Sequence, residues 1–275
     1  MRRASITLIR PTRGWIPLNL RELWEFRGLL GVFVLRDVRV KYKQTLLGVT
    51  WAVLQPLTMM LVFSVFFGAI ARVPFEGPSY ALFALTGLVP WTYLSTALGG
   101  ASQSVVDNRP LITKVYFPRL ILPLAPVLSS LLDLGITVLL LAGLVLWNGI
   151  PLTAAALWLP AFVLLLMMSA WSVSLWFSAL NGLYRDFRYI VAFLLQVWLF
   201  ASPVVYPSAL VPEKWRAVYG LNPMVGVIEG FRWALLGSGA PPNELLAVAA
   251  AVVLVTLAGG LAFFRRAERI LVDVL

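Results

Sequence analysis

Few side chains in this sequence have the chemistry of a catalytic or metal-binding centre. The chain contains no Cys and no His, which removes thiolate nucleophiles, imidazole bases and the commonest metal ligands. It also lacks the G-x-x-x-x-G-K-[ST] pattern, whose backbone amides cradle the phosphates of a bound nucleotide. Redox, zinc and haem chemistry are therefore excluded, and any use of ATP would require a separate subunit.

Asp133 is the only carboxylate inside a long apolar segment, LSSLLDLGITV. A charge in hydrocarbon is costly, so this side chain should face the protein interior, pair with a basic group or be protonated. It could relay protons or contact a substrate, or it could form an interhelical hydrogen bond beside Ser129, Ser130 and Thr137. The structural role is favoured, because a proton relay needs a second acid or base within the membrane.

Two short polar loops combine charged and aromatic residues, DNRPLITKVYFPR at 107–119 and NGLYRDFR at 181–188. This composition is more typical of a protein-docking surface than of a passive turn. For the second loop, a lipid anchor with interfacial aromatic rings is an alternative that stays open. The side chains expected to be exposed are Tyr116, Phe117, Tyr184 and Phe187.

The composition of the chain as a whole is that of an integral membrane protein. Hydrophobic residues make up 60% of its 275 residues, charged residues make up 12%, and the mean hydropathy is +0.88. An α-helix needs about 20 apolar residues to cross roughly 30 Å of hydrocarbon. Six segments approach or exceed this length and predict an all-α protein with six spans. The predicted spans are residues 48–70, 80–101, 119–147, 152–180, 189–206 and 245–264.

An amphipathic helix is predicted over residues 20–38, ahead of the first span. Asn19 and Glu22 have the spacing of a helix-capping box. Leucine and valine side chains on one face and arginines elsewhere favour a helix that lies in the membrane surface. The alternative is a helix that packs mainly on protein. No apolar stretch of suitable length follows the basic start, so no cleaved signal peptide is expected.

A re-entrant helix is predicted between the last two spans. Asn222 can cap a helix whose first residue is Pro223. The helix from there to about Leu236 is too short to cross a membrane, and it carries Glu229 and Arg232 at i,i+3 spacing. We expect it to dip into the outer leaflet, shielded from lipid by the rest of the protein.

The distribution of basic residues predicts the orientation. If the first loop faces the cytoplasm, 18 of the 22 Lys and Arg residues fall in cytoplasmic segments and four fall outside. Positive charge concentrates on the cytoplasmic side of membrane proteins, so both termini are predicted to be cytoplasmic. The net charge of +10 is thereby explained by topology, and no nucleic-acid partner is expected.

Several stretches of this chain, in this order, resemble the membrane subunits of type-2 ABC exporters of lipid-linked polysaccharides, the family of O-antigen, capsule and teichoic acid permeases. The resemblance covers nearly the whole sequence. The stretches that carry it are LRDVRVKYKQTLLGVTWAVLQP, NRPLITKVYFPR, NGLYRDFRYI, SPVVYPSALVP and LNPMVGVIEGFRWALLG.

The resemblance implies a homodimer in the bacterial inner membrane with two copies of a separate ATPase, which would bind ATP and Mg²⁺. A lipid-linked glycan, with the O-antigen type favoured, would pass through a channel at the dimer axis. The implied layout is a cytosolic segment with the interface helix (1–47), a transmembrane domain (48–264) with a re-entrant region (207–240), and a cytosolic tail (265–275).

The resemblance and the two polar loops together give candidate residues for each role. The candidates for ATPase coupling are Arg36, Asp37, Lys41, Asn108, Arg109, Lys114, Tyr116, Arg185 and Asp186. The candidates for the channel lining are Trp51, Phe63, Phe67, Trp91, Tyr93 and Trp198. The candidates for the outer mouth are Asn222, Pro223, Glu229 and Arg232.

Three other functions compete with glycan export as interpretations of this sequence. A type-2 ABC exporter of drugs or small lipids would share most of these features. An ion-driven secondary transporter should show several intramembrane charges or an inverted repeat, and this chain has one such Asp and no visible repeat. A membrane-embedded transferase would need an acid, base or nucleophile cluster at one membrane face, and the sequence offers none.

Overall fold

The computed structural model describes residues 20–43, 50–75, 77–184, 186–238 and 244–274. These residues are almost entirely helical, which confirms the predicted all-α class. The described part of the chain forms twelve α-helices: α1 Leu20–Glu25, α2 Arg27–Lys43, α3 Thr50–Phe63, α4 Tyr80–Asp107, α5 Arg109–Ile112, α6 Ile121–Ser129, α7 Leu131–Trp147, α8 Leu159–Leu183, α9 Phe187–Phe200, α10 Glu213–Gly220, α11 Pro223–Leu236 and α12 Glu244–Val274.

Five helical segments of the described chain are long and apolar enough to cross a membrane. The first joins α3 to a π-helix at Ser64–Ile70, the third joins α6 to α7, and the fourth begins with a 3₁₀ turn ahead of α8. Each overlaps a predicted span. The five segments are Thr50–Ile70, Tyr80–Asp107, Ile121–Trp147, Ala154–Leu183 and Leu246–Ile270.

The predicted fifth span is shorter than expected, so the six-span count is not confirmed. Its helix, α9, has 14 residues and ends at Phe200, which corresponds to about 21 Å at 1.5 Å per residue. Irregular turns follow it up to Tyr206. Pro203 has no backbone N–H to continue the helical hydrogen-bond ladder, which accounts for the early end.

The predicted amphipathic helix is observed as two helices, α1 and α2, which meet at Phe26. α2 packs against α6 and buries Phe33, so one face of α2 lies on protein. Val32, Leu35 and Val40 of α2 are exposed. Asn19, the predicted cap, lies outside the described residues.

Helix α4 forms the centre of the molecule. In its most apolar stretch 78% of residues are buried, against 11% in the span that contains α3. Helices α3, α6, α7, α8 and α11 all pack against it. Gly87 of α4 allows the turn after α9 to approach, because a Cβ there would lie 2.9 Å from the carbonyl oxygen of Val204. The central position of α4 explains its burial.

Helix α11, which the sequence predicts to be re-entrant, begins and ends at the predicted residues. Asn222 accepts a hydrogen bond from the backbone N–H of Met224 at 3.0 Å, and Gly237 ends the helix in the left-handed conformation, with φ of 63°. Eleven of the 14 residues of α11 are buried, and α4, α8 and α12 surround it. A Cβ at Gly230 would lie 2.3 Å from the ring of Phe162, so only glycine permits this contact.

The two ends of the helical bundle are distinguished by the course of α12. Near its start α12 packs against α10 and α11. Towards its end Glu268 meets Arg119 in the loop between α5 and α6. We refer to the end that contains this loop and α2 as the α2 end, and to the opposite end as the α10 end.

Helices α8 and α12 pack closely at Gly260. A Cβ at Gly260 would lie 2.9 Å from Trp176 Nε1 and 3.0 Å from the carbonyl oxygen of Ser172. Trp176 also donates a hydrogen bond to the carbonyl oxygen of Thr256 at 3.1 Å and stacks on Phe263 with ring centroids 4.8 Å apart. This is the small-residue contact by which membrane helices approach closely.

We expect Gly260→Ala to lower the free energy of unfolding by about 1–3 kcal/mol, because the new methyl group must displace the Trp176 ring or the backbone of α8. The apparent melting temperature of the purified protein in detergent measures this effect. Gly143→Ala is the matched control, because a Cβ at Gly143 meets nothing within 4 Å. Equal melting temperatures for the two variants would contradict the close packing of α8 and α12.

Candidate functional site

At the α2 end, Arg36 connects the interface helix to the start of the first polar loop. Its Nη1 donates to Asn108 Oδ1 at 2.6 Å, and its Nη2 donates to Asp37 Oδ1 at 2.9 Å. Its guanidinium also lies over the ring of Phe33, 4.7 Å from the centroid. Asn108 is buried and donates to the carbonyl oxygen of Ser104 at 2.7 Å. Three predicted coupling residues, Arg36, Asp37 and Asn108, are thus in direct contact.

Asp133 forms an ion pair with Lys41, near the end of α2. The Asp133 side chain is 14% exposed and that of Lys41 is 42% exposed. The hydroxyl groups of Ser129 and Thr137 donate to backbone carbonyl oxygens instead. The partner of Asp133 is thus a lysine on another element rather than the neighbouring hydroxyls that the structural interpretation named.

We expect Lys41→Met to lower the free energy of unfolding by about 1–2 kcal/mol, because it leaves the Asp133 carboxylate buried and unpaired. Asp133→Asn should cost less, because the half-exposed Lys41 can still reach water. Melting temperatures of both variants, together with transport, provide the test. A proton relay would instead require Asp133→Asn to abolish transport while stability stays unchanged.

The first polar loop is held against α1 by its tyrosine and against the core by its phenylalanine. The Tyr116 hydroxyl donates to Glu22 Oε1 at 2.9 Å, and this hydrogen bond raises the pKa of Tyr116 above its ordinary value. Phe117 is buried against Phe33 with ring centroids 6.0 Å apart, so the prediction that it is exposed was wrong. Tyr116 is 63% exposed and remains available to a partner.

The same loop is tied to the last helix through a contact that sequence reasoning missed. Arg119 Nη1 donates to the carbonyl oxygen of Glu268 at 2.8 Å, and its Nε lies 3.8 Å from Glu268 Oε1. Arg265 pairs with the other carboxylate oxygen at 3.3 Å. The only sequence signal was a single glutamate among the arginines of RRAERI. Arg109 and Lys114 lie on the exposed side of the loop.

In the second polar loop, fewer of the predicted side chains are seen to be exposed. Arg185 lies outside the described residues, whereas Asp186 and Tyr184 are exposed. Phe187 is half-buried and packs against Phe177 with ring centroids 5.7 Å apart, so only one of the two aromatic side chains is exposed as predicted. Arg188 lies over the ring of Tyr189, 4.6 Å from its centroid.

Three of the six aromatic residues predicted to line a channel lie inside the single chain. Phe63 and Trp91 are each 6% exposed and Tyr93 is 2% exposed, so in this conformation they belong to the core. The other three are Trp51, which is exposed, and Phe67 and Trp198, which are half-buried against the core.

At the α10 end, Asn222 joins the start of α11 to the end of α9. Its Oδ1 accepts from Trp198 Nε1 at 3.0 Å, and its Nδ2 donates to Ser202 Oγ at 2.9 Å. Trp198 in turn contacts Trp91 edge to face. The predicted cap residue therefore also fixes the turn after α9, which places Pro223 at the first position of α11.

The predicted pair of Glu229 and Arg232 is present, with a distance of 3.3 Å between Arg232 Nη1 and Glu229 Oε1. Arg232 is 1% exposed. Its Nη2 donates to the carbonyl oxygen of Val204 at 3.0 Å, and its guanidinium lies 3.6 Å from the ring centroid of Phe83. Tyr80 donates to the carbonyl oxygen of Val205 at 2.6 Å. The turn after α9 is thus held from both α4 and α11.

The arrangement offers helical contacts, ion pairs and exposed loops rather than a reaction centre. Among the residues that the structure describes, no three His, Cys, Asp or Glu side chains are grouped so that they could hold a metal ion. The residues that do converge connect helices to one another at the two ends of the bundle.

Comparison with known proteins shows the family to which the chain belongs. The sequence profile of the family described as ABC-2 type transporter matches residues 29–236. The chain is 33% identical over 240 residues to an O-antigen export system permease protein of Myxococcus xanthus, covering 86% of this chain and 92% of that protein. It is 26% identical over 258 residues to a Klebsiella pneumoniae protein of the same description, covering 94% and 97%.

A more distant relative is the polysialic acid transport protein of Escherichia coli, 25% identical over 240 residues, which are 85% of this chain and 91% of that protein. The family profile spans most of the chain, including most of α2, the polar loops and α11. With its apolar spanning helices, this chain is a multi-pass membrane protein that belongs to the ABC-2 type transporter family, as a transport permease.

Proposed function

We propose that this chain is the membrane subunit of an ATP-driven exporter that moves a lipid-linked polysaccharide of the O-antigen type across the bacterial inner membrane. The observation that carries the proposal is its similarity, over nearly the full length of both chains, to permeases named for O-antigen export. The distribution of basic residues supports an orientation with the α2 end in the cytoplasm.

A separate ATPase would dock at the α2 end, where it would bind the ATP and Mg²⁺ that drive transport. The first polar loop suits this role because it is rigidly attached yet presents charged side chains. Arg36 and Tyr116 tie the loop region to α2 and α1, whereas Arg109 and Lys114 are exposed. A surface of this kind can transmit a displacement to the helices behind it rather than absorb it.

Two copies of the chain would form the channel, with α3 and α9 towards the dimer axis. Large exposed apolar side chains lie on α3, on the π-helix that continues it and on α9, and a single chain leaves them uncovered. They include Trp51, Phe66, Phe193 and Phe200. ATP binding and hydrolysis in the partner would bias two arrangements of the protomers, and the glycan would pass between them. In this scheme the two permease protomers can adopt two arrangements. Nucleotide bound to the ATPase has a higher affinity for one arrangement than for the other, and it thereby shifts the equilibrium between them.

Export of O-antigen in a host that lacks its own permease tests the proposal. Cells that express this chain with its ATPase should display the polymer on the surface, as measured by immunoblotting, and cells that lack either subunit should not. Full-rate export by the purified chain, reconstituted without any ATPase, would contradict the proposal.

In the same assay, we expect replacement of Arg109 and Lys114 together by Ala to reduce export about three- to tenfold, because two charge contacts with the ATPase are lost. Membrane insertion should be unchanged. The control replaces Arg266 and Arg269, which are exposed cations at the same end, and removes the same charge. Wild-type export by the Arg109 and Lys114 variant would argue against a coupling role for the loop.

A further inference from the structure

A cavity of about 540 Å³ lies at the α10 end, bounded by α8, α9, α10 and α12. It extends from Thr256 in the middle of α12 to the apolar face of α10. Its wall is mainly apolar, and the large apolar side chains that line it are Val173, Trp198, Trp215, Val218, Leu221 and Val252. Asn222 and Pro223, where α11 starts, also lie on its wall.

The few polar groups in the wall are already satisfied within the protein. Ser172 Oγ donates to the carbonyl oxygen of Ser169 at 2.8 Å, and Thr256 Oγ1 donates to that of Val252 at 2.7 Å. Trp198 Nε1 is bonded to Asn222. A sugar or another polar ligand would lose its bonds to water and find few replacements here, which is costly. The wall therefore suits a hydrocarbon chain.

The cavity is open on the side of α10. Trp215, Val218 and Leu221 line it and are nevertheless 56%, 59% and 54% exposed. α10 combines Glu213, Lys214 and Arg216 in its first half with the apolar Trp215 and Val218, as in helices that lie at a membrane interface. A helix of this composition would place the opening where the headgroup region of the bilayer meets its hydrocarbon.

The rim of the opening carries positive charge. Arg216 Nε donates to the carbonyl oxygen of Val211, a residue of the cavity wall, at 3.3 Å. Its ion pair with Glu213 is long, at 3.8 Å, and Lys214 beside it is exposed. Lys and Arg side chains at this depth attract anionic headgroups. A ligand that matches both features has an apolar chain and an anionic phosphate.

We propose that this cavity binds one hydrocarbon chain of an anionic phospholipid from the leaflet at the α10 end, with its phosphate against Lys214 and Arg216. Such a lipid would wedge between α10 and α12, next to the first turn of the re-entrant helix. It would therefore help to set the position of α11. The proposal rests on the embedding of the chain in a membrane and is independent of what the protein exports.

The direct test is photolabelling of the full-length protein in phosphatidylcholine vesicles that contain phosphatidylglycerol with a diazirine in its acyl chain. Mass spectrometry of the digested protein should place the label on residues 211–223. Val252→Trp places an indole ring in the path of an acyl chain through the cavity, and it should reduce this label to the level of the general lipid-facing surface. Val255→Trp is the matched control on the same helix, because Val255 is 73% exposed and does not line the cavity. Equal labelling of the two variants would overturn the proposal.

The headgroup is tested by replacing Lys214 and Arg216 together by Gln. The preference for the phosphatidylglycerol probe over an equivalent phosphatidylcholine probe should fall by about tenfold, since two cations near the phosphate are removed. Arg72→Gln, at an exposed position between the first two spans, should leave the preference unchanged. An unchanged preference in the double variant would overturn the assignment of an anionic lipid.

A second copy of the chain is the other occupant that could cover the opening. Because the chain contains no Cys, Val218→Cys introduces a single thiol at the rim. Under oxidising conditions in the vesicles we expect no disulfide between protomers at this position. Efficient cross-linking would show that protein covers the opening, and it would overturn the lipid proposal.

Discussion

Replacing Arg232 with Met is expected to lower the free energy of unfolding by about 3 kcal/mol and to abolish transport. The guanidinium is the most deeply buried charge that the structure describes at the α10 end, with a side chain that is 2% exposed. It contacts three elements, since it pairs with Glu229 on α11, donates to Val204 in the turn after α9, and lies over Phe83 on α4.

Met retains most of the apolar volume of Arg. The loss of stability would therefore arise from the polar groups that no longer have the guanidinium as a partner. The carbonyl oxygen of Val204 would be left without the donor that reaches it at 3.0 Å, and an unsatisfied buried acceptor costs about 1–3 kcal/mol. Glu229 would keep only the bond from the backbone N–H of Ser208. The attraction between the guanidinium and the Phe83 ring would also be lost.

Arg216→Met provides a matched control on the neighbouring helix. Arg216 is likewise paired with a glutamate at i,i+3 spacing, Glu213, but the two side chains are 54% and 89% exposed. An exposed pair contributes at most about 1 kcal/mol. Melting temperatures in detergent distinguish the two variants. Equal melting temperatures for Arg232→Met and Arg216→Met would contradict the role of Arg232 in stabilising the α10 end.

The re-entrant helix was predictable because its signals are local. Asn222 and Pro223 mark its start within two residues, and the spacing of Glu229 and Arg232 alone predicts their pairing. The burial of Arg232 was not predictable, because it depends on the turn after α9 and on α4, which lies about 150 residues earlier in the chain. The sequence contains the charge, whereas the contacts that hold it arise only when distant segments pack.

The α2 end shows the same division between local and long-range information. Charged and aromatic residues in the first loop indicated a docking surface, but nothing in the sequence distinguished Tyr116, which is exposed, from the adjacent Phe117, which is buried. Lys41 and Asp133 are separated by 92 residues, and periodicity cannot pair them. The early end of α9 also depends on proline chemistry, which an apolar count over 189–206 ignores.

Reversing the charge at Arg119 is the second change from which we expect a large effect. This residue joins the first polar loop to α12 through Glu268, and α12 in turn packs along α8 and against α11. A displacement of the loop by a docked ATPase would therefore reach the re-entrant helix through one continuous helix. Arg119→Glu removes this connection and places a second carboxylate beside Glu268.

For Arg119→Glu we expect export to fall by more than about tenfold. Breaking a largely buried ion pair and adding a like charge costs several kcal/mol at the contact between the first polar loop and α12. ATP hydrolysis by the associated subunit should persist, since the exposed docking residues Arg109 and Lys114 are unchanged. Arg266→Glu controls for the change in net charge, because Arg266 is exposed on the same helix as Glu268.

The reversed pair distinguishes a specific contact from a general loss of fold. Combining Arg119→Glu with Glu268→Arg restores the attraction between the side chains, but it cannot restore the bond that Arg119 donates to the backbone carbonyl at position 268. Export in the double variant should therefore recover in part and remain below that of the wild type. If Arg119→Glu alone exported at the wild-type rate, or hydrolysis and export fell together in proportion, the loop would not act through α12.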